Sequence, residues 1–362
     1  MKARRLLVAA AGSGGHIYPG LAVAEAFRAR GGAAVRFVGT PAGLERQIVP
    51  RSGFEVSLAP PAALRGRPLT AMPRIAGNVV RSVFVMRRVL RAFRADVVFG
   101  TGGSVSGIAA LAARSMGIPT VLLEPNASPG LANRWSAPLA TRVAVGFAAT
   151  RSHFKGRAVV TGIPVRKAFF RAPAAGAPKR RLSVLVTGGS QGASPLNGLV
   201  TGALPVLRKR AGRIRFTHQT GPADEQAVLA AYRAARIRAR VIPYLDDMPS
   251  AFAGADLVVS RAGAITCAEL AAAARPAMVV PAAVAGAHQR DNAAALAAAG
   301  AAEFVEETIS SPAFGGRLAA ILDDRPRREA MARAAAGLAR PAAAEDLAKL
   351  LERPSVTGKA AA

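Results

Sequence analysis

Short apolar runs alternate with alanine-rich stretches along most of the chain. Leu6 to Ala10 and Val35 to Val38 are apolar runs of strand length, and about Gly20 to Arg30 between them has the make-up of a helix. The rhythm continues through Val97 to Phe99, Pro119 to Leu123, Leu182 to Thr187, Leu257 to Val259 and Met278 to Pro281. Strands that are apolar on both faces and separated by helices predict βαβ units, and so a parallel sheet covered by helices on both sides. The fold class is α/β. A basic stretch rich in proline, alanine and glycine, Phe169 to Arg181, reads as a linker. Leu182 then opens a second series resembling the first. Two Rossmann-like domains follow, their parallel sheets facing a central cleft.

Glycine-rich turns follow several of these strands. They are Gly12-Ser13-Gly14-Gly15-His16, Gly100-Thr101-Gly102-Gly103-Ser104, Gly188-Gly189-Ser190-Gln191-Gly192 and Ser260-Arg261-Ala262-Gly263. Such turns leave backbone N–H groups free and let a ligand approach the main chain. The first is not the GxGxxG dinucleotide fingerprint, and no acidic residue stands at a ribose position after it. His16 lies where a general base or a hydroxyl-orienting group would, and a structural histidine bracing the turn is the competing reading. After Gly263 a helix begins, so free N–H groups and a positive dipole end suit a phosphate there. Glu269, about one turn inside that helix, is placed to accept hydrogen bonds from sugar hydroxyls.

Composition narrows the setting. The 362 residues exceed one comfortable core, and 51% hydrophobic content supplies two. One cysteine, Cys267, allows neither an internal disulfide nor a cysteine metal cluster, which fits a reducing compartment. The N-terminal apolar run is short and ends in the glycine turn, so it reads as a strand rather than a signal peptide. The net charge of +28 is carried almost wholly by arginine. Its possible partners are nucleic acid, anionic lipid and phosphorylated small molecules. From Ser57 to Ala95 there is no acidic residue, while Arg65, Arg67, Arg81, Arg87 and Arg88 stand among apolar residues including Phe84. That mixture suits an anionic membrane surface. The 5% aromatic content is thin for base stacking and argues against nucleic acid.

An ordered set of motifs from about Arg4 to Ala343 resembles the MurG family. It comprises Gly12 to His16, Gly43-Leu44-Glu45, Pro129-Gly130-Leu131-Ala132-Asn133-Arg134, Thr161-Gly162 with Pro164-Val165-Arg166, Gly188 to Ala193, Asp246-Asp247-Met248, Ser260 to Ala264, and His288-Gln289 with Asn292. The resemblance implies a GT-B fold and an inverting glycosyltransferase. Such an enzyme moves N-acetylglucosamine from UDP-GlcNAc to the 4-hydroxyl of the N-acetylmuramoyl unit of lipid I, giving lipid II in peptidoglycan synthesis. It further implies an acceptor- and membrane-binding domain over residues 1–165 and a donor domain over 166–340. A helix over 341–352 would pack back on the first domain, ahead of a disordered tail at 353–362. The expected location is the cytoplasmic face of the cell membrane, peripherally attached, with other cell-wall synthesis proteins as further partners.

Carried onto matching positions, Arg166, Ser190, Leu245, Ala264, Ile265, Thr266, Glu269, His288, Gln289 and Asn292 would bind the donor. Ser190, its glycine neighbours and Arg166 would hold the nucleotide diphosphate, and the Leu245 backbone would read uracil. Ala264 to Thr266 would meet the phosphates, Glu269 the ribose, and the last three the GlcNAc. His16 and Glu124 would be the catalytic pair, with His16 favoured as base. Ser13, Gly14, Gly15, Gly103, Ser104, Asn126 and Asn133 would lie on the acceptor side. No cofactor or metal is expected. Asp246-Asp247 and Asp323-Asp324 read as helix-start caps.

The chain departs from the family pattern at Leu123 and Pro125, in place of histidine and glutamine around Glu124, and at Ser104, Ile163 and Ala287. Most of these fall on the acceptor side or near the hinge. A weakened enzyme, another GT-B transferase with a different acceptor, and a UDP-GlcNAc epimerase are the alternatives at this point.

Overall fold

The computed structural model describes residues 4–59, 72–171, 181–189, 191–283 and 287–354. The chain divides into two compact units: residues up to Val165 together with the C-terminal segment from Ala342, and Arg166 to Pro341.

In the first unit the order is β1 (Arg5–Ala9), α1 (Gly14–Ala29), β2 (Ala34–Gly39), α2 (Glu45–Arg51), β3 (Glu55–Leu58), α3 (Met72–Phe93), β4 (Val97–Gly100), α4 (Gly103–Arg114), β5 (Thr120–Glu124), α5 (Leu131–Ser136), β6 (Arg142–Val145) and β7 (Ala158–Val160). The seven strands pair in parallel in the order β3-β2-β1-β4-β5-β6-β7. Leu6 to Ala9 and Val97 to Phe99 are fully buried, as strands covered on both faces must be. The order reverses between β1 and β4. At such a switch point the loops leaving the two strands splay apart and make a crevice at the carboxyl ends of the strands.

The second unit runs β8 (Leu182–Thr187), α6 (Ser194–Leu207), β9 (Ile214–Gln219), α7 (Glu225–Ala235), β10 (Arg238–Ile242), α8 (Met248–Gly254), β11 (Leu257–Ser260), α9 (Ala264–Ala272), β12 (Ala277–Val279), α10 (Ala287–Ala298), β13 (Ala302–Phe304), α11 (Ser311–Asp323) and α12 (Arg325–Leu338). Its six parallel strands are ordered β10-β9-β8-β11-β12-β13, so the switch point lies between β8 and β11.

The last helix, α13 (Ala343–Glu352), belongs to the first unit and packs on α1. Ala344, Leu347, Ala348 and Leu351 recur at helical spacing and enter the core formed by Leu21, Phe27 and Phe37. Leu347 and Leu351 are fully buried, and burying each contributes about 2 kcal/mol. Arg30 closes the contact by donating to both carboxylate oxygens of Glu352, at 2.7 and 2.9 Å.

Three expectations need correction. The first helix begins at Gly14, not Gly20: Ser13 is its N-cap, Gly14 and Gly15 adopt helical geometry, and Pro19 sits inside it. Phe169 is no linker residue. It is fully buried in the short helix Lys167–Arg171, edge-on to the equally buried Phe252 with ring centroids 5.3 Å apart. The aspartates divide: Asp247 and Asp324 accept from Ser250 N and Arg327 N as helix caps, whereas Asp323 pairs with Arg210.

Candidate functional site

In the first unit the β1–α1 and β4–α4 loops meet across the switch point at His16. This residue lies in the first turn of α1, half-buried, with Nδ1 2.9 Å from the carbonyl oxygen of Thr101. A carbonyl oxygen can only accept, so Nδ1 carries the hydrogen and, in the neutral ring, Nε2 keeps its lone pair. Gly102 makes this approach possible. It has φ +108°, and a Cβ there would come within 3.1 Å of the His16 ring and 4.0 Å of the Asn133 amide. The loop is fixed from below by Ser106, whose hydroxyl accepts from Gly102 N–H at 3.0 Å and lies 2.8 Å from the Ala9 carbonyl.

Glu124 stands at the end of β5, fully buried, and its carboxylate is saturated with donors. Oε1 accepts from the backbone and side-chain nitrogens of Asn126, each at 2.9 Å, and Oε2 accepts from Gly130 N–H at 2.9 Å and Asn133 Nδ2 at 3.0 Å. Asn133 also donates to the Leu123 carbonyl at 2.8 Å. This carboxylate organises the loop between β5 and α5, while the lone pair suited to a base is on His16. Ser13 and Gly15 are exposed beside His16, Gly14 is buried, and Gly103 and Ser104 open α4. The departure at Leu123 removes no polar group from this surface, because the Leu123 side chain is fully buried in the core.

In the second unit the loops after β8 and β11 flank the switch point. Gly189 and Gly192 have φ +90° and +74°, and a Cβ at Gly192 would come within 2.0 Å of the Thr220 carbonyl oxygen. Gln219, at the end of β9, holds the loop from beneath. Its Oε1 accepts from the Thr187 hydroxyl at 2.7 Å and its Nε2 donates to the Gly189 carbonyl at 2.7 Å. Ser190, the side chain expected at the tip, lies outside the described residues, as do Arg65 and Arg67.

Gly263 is the N-cap of α9, so the N–H groups of Ala264, Ile265 and Thr266 form the helix's first turn. Glu269 follows on the same helix, 8% exposed, with Oε1 3.7 Å from the Arg166 guanidinium. Burial pushes its carboxyl up to about 7, and Arg166, acting in the opposite sense, does not offset this. Arg166 lies over the Phe169 ring at 5.1 Å, so the Phe169–Phe252 contact anchors the segment that carries it. Its charge also reaches Asp247, beside the half-buried Leu245.

The residues expected to meet the sugar are held by neighbouring loops. Gln289 accepts from Ala282 N–H at 2.9 Å, and Asn292, fully buried, donates to the Ala262 carbonyl at 3.1 Å. His288 is half-buried in the first turn of α10. Arg261 braces the same region by donating to the Val280 carbonyl at 3.1 Å and pairing with Glu307, which accepts from Ala283 N–H at 2.9 Å. Arg261 and Thr101 stand in glycine-rich turns that the sequence marks without giving either residue a part, and Gln219 carries no signal beyond its place at the end of β9.

On α3, Ser82, Met86, Leu90 and Phe93 face inward, while Arg81, Phe84, Arg88 and Arg91 face solvent. Phe84 is 65% exposed, and Arg87 donates to the Ser115 hydroxyl at 3.1 Å on the flank. Among the described residues no helix is long and apolar enough to cross a membrane.

The glycosyltransferase family 28 N-terminal domain model matches residues 6–145, and the C-terminal domain model of the same family matches residues 183–349. A relative from Anaeromyxobacter sp. (strain Fw109-5) is 41% identical, with 95% of this chain and 92% of the relative covered. Another, from Halorhodospira halophila, is 41% identical with 97% and 99% covered. Both are named UDP-N-acetylglucosamine--N-acetylmuramyl-(pentapeptide) pyrophosphoryl-undecaprenol N-acetylglucosamine transferase. The crystal structure of Acinetobacter baumannii MurG matches at 30% identity with TM-score 0.77, covering 96% of this chain and 99% of that one.

Proposed function

The chain belongs to glycosyltransferase family 28, as one of its MurG members, and from the geometry of its loops we propose how it performs the transfer. It moves N-acetylglucosamine from UDP-GlcNAc to the 4-hydroxyl of the N-acetylmuramoyl unit of lipid I, forming lipid II with inversion.

In our reading the second unit holds the donor. The N–H groups of Ala264, Ile265 and Thr266, with the dipole of α9 behind them, meet the diphosphate, and Arg166 adds a full positive charge. The ribose hydroxyls donate to Glu269, and the Leu245 backbone reads the base. Ser190 and its glycine neighbours hold the nucleotide. His288 and Gln289 face the GlcNAc. Asn292 acts through the Gly263 turn, since it is fully buried and bonded to Ala262.

The first unit supplies the base. As the acceptor oxygen bonds to the anomeric carbon, the bond from that carbon to UDP breaks and the hydroxyl proton passes to His16 Nε2. The diphosphate departs carrying the electron pair, its charge stabilised by the α9 N-terminus and Arg166. The observation that carries this assignment is the His16 Nδ1–H bond to Thr101, which orients the ring and directs the other nitrogen's lone pair away from it. Glu124 shapes the acceptor loop without taking the proton, because both of its oxygens are occupied. The helix dipole and Arg166 supply the charge stabilisation that a metal gives elsewhere, so the transfer proceeds without one.

The exposed arginines and Phe84 of α3 dock the protein on the anionic cytoplasmic face of the membrane, where the lipid-linked acceptor resides. The test is His16→Ala in EDTA-treated enzyme. EDTA is expected to leave wild-type turnover unchanged, and the substitution to lower kcat at least 100-fold while UDP affinity stays within about twofold. Equal losses of kcat and UDP affinity would make His16 a binding group, and loss of wild-type turnover in EDTA would overturn the metal-free mechanism.

A further inference from the structure

The His16 turn is held by a buried carboxylate that comes not from a strand end, as Glu124 does, but from the start of α2. Glu45, the first residue of α2, is fully buried. Its Oε1 accepts from Thr40 N–H at 2.5 Å and from the Thr40 hydroxyl at 3.0 Å, closing the β2–α2 loop on itself. Its Oε2 reaches the neighbouring loop and accepts from Gly12 N–H at 3.0 Å. The loop is cleared around this side chain, since a Cβ at either Gly39 or Gly43 would come within 2.1 Å of it. The Gly12 peptide is gripped from both sides, because its carbonyl also accepts from Leu44 N–H at 3.4 Å. Gly12 has φ +95° and leads straight into Ser13, whose carbonyl accepts from the backbone N–H of His16 at 3.0 Å and of Ile17 at 3.2 Å.

We propose that Glu45 is a positioning residue for the base: through Gly12 and Ser13 it sets where the first turn of α1 begins, and so where His16 Nε2 points. The inference rests on the reading of His16 as the base. Two restraints then fix the imidazole. Thr101 sets the rotation of the ring, and Glu45 sets the backbone from which the ring projects. Buried carboxylates that accept several backbone N–H bonds hold loops with little freedom, and a shift of about 1 Å in a catalytic group costs on the order of 100-fold in rate.

Glu45→Gln separates this role from a general one in folding. The new amide keeps its oxygen toward Thr40, where two donors converge, which turns its NH2 group against Gly12 N–H and cuts only the link to the His16 turn. Glu45→Asp, one methylene shorter, withdraws from Gly12 as well. Each variant is measured alone and combined with His16→Ala, with UDP binding by calorimetric titration confirming a folded donor unit. The expected result is a kcat loss of at least tenfold for either Glu45 variant, UDP affinity within about twofold of wild type, and no further loss when the change is added to His16→Ala. Multiplying losses in the double variants, or a Glu45→Gln kcat within twofold of wild type, would overturn the positioning role while leaving His16 as base. A wild-type kcat for His16→Ala would instead overturn the base assignment, and the role of Glu45 with it.

Discussion

Glu269→Gln tests the donor site through its protons. The Glu269 carboxyl is pushed up to about 7 from 4.5 by burial, against the pull of Arg166 at 3.7 Å. A carboxyl whose folded pKa lies above its unfolded value favours the fold most when protonated. That contribution is fully present below pH 4.5 and is lost as pH rises through about 7. The difference of about 2.5 units amounts to roughly 3 kcal/mol, almost all of it lost by pH 8. Glutamine is the neutral isostere and carries no such slope. The attraction of Arg166 acts only on the ionised glutamate and is already contained in the raised value, so it adds no separate slope. Urea unfolding of the donor unit's transition, followed for wild type and variant from pH 4.5 to 8, isolates the slope. The stability of Glu269→Gln relative to wild type should rise by about 3 kcal/mol across that range. A flat difference would refute the buried, raised carboxyl and show Arg166 outweighing burial, since a lowered pKa titrates below this range. Bound UDP adds a second readout. Ribose hydroxyls donate to the ionised form, so UDP binding near pH 7 should release a fraction of a proton, visible as a buffer-dependent binding enthalpy that Glu269→Gln abolishes.

Other perturbations follow from the same structure. Burial lowers the pKa of His218 to about 4, outweighing nearby Asp224, while Tyr232 and Asn197 hold its two ring nitrogens. Its contribution is present above pH 6.5 and is lost as pH falls toward 4, costing roughly 3 kcal/mol, so acid unfolding of wild type should be steeper over that window than that of His218→Gln. Gly192→Ala forces a Cβ against the Thr220 carbonyl at a positive φ, and should weaken UDP binding at least tenfold by titration. Glu124→Gln sets an amide NH2 against donors that converge on both oxygens, and should destabilise the first unit by about 1–3 kcal/mol in urea while leaving UDP affinity unchanged. Replacing exposed Arg81 and Arg88 together with alanine should cost about 2 kcal/mol of binding to anionic vesicles, a roughly 30-fold drop in sedimentation assays, again with normal UDP affinity.

The sheets were legible in the sequence because strands buried on both faces carry unbroken apolar runs, as Leu6 to Ala9 and Leu257 to Val259 do. The glycine turns marked the loops at both switch points. What sequence could not supply was pairing. Thr101 and Glu45 lie 85 and 29 residues from His16, and they reach its turn only because β1 sits between β2 and β4 in the sheet. The start of α1 was hidden for a different reason. Gly14-Gly15 has poor helix propensity and reads as a turn, but with Ser13 as N-cap the two residues form the first turn, placing His16 on a helix. Glu124 illustrates the limit of assigning roles by motif. The residue type suits a base, and only its four donors reveal a brace. Leu123 shows the reverse: an altered residue in a polar motif whose side chain points into the core.

The central claim is tested most directly by giving purified protein labelled UDP-GlcNAc, with and without a lipid I analogue, and following both the label and the UDP released. Label should appear in the lipid product with one UDP released per sugar transferred, and no UDP should be released without the acceptor. UDP release that does not need lipid I, accompanied by free sugar, would contradict it and point to an epimerase. Tight UDP-GlcNAc binding with no transfer to lipid I would contradict the acceptor assignment.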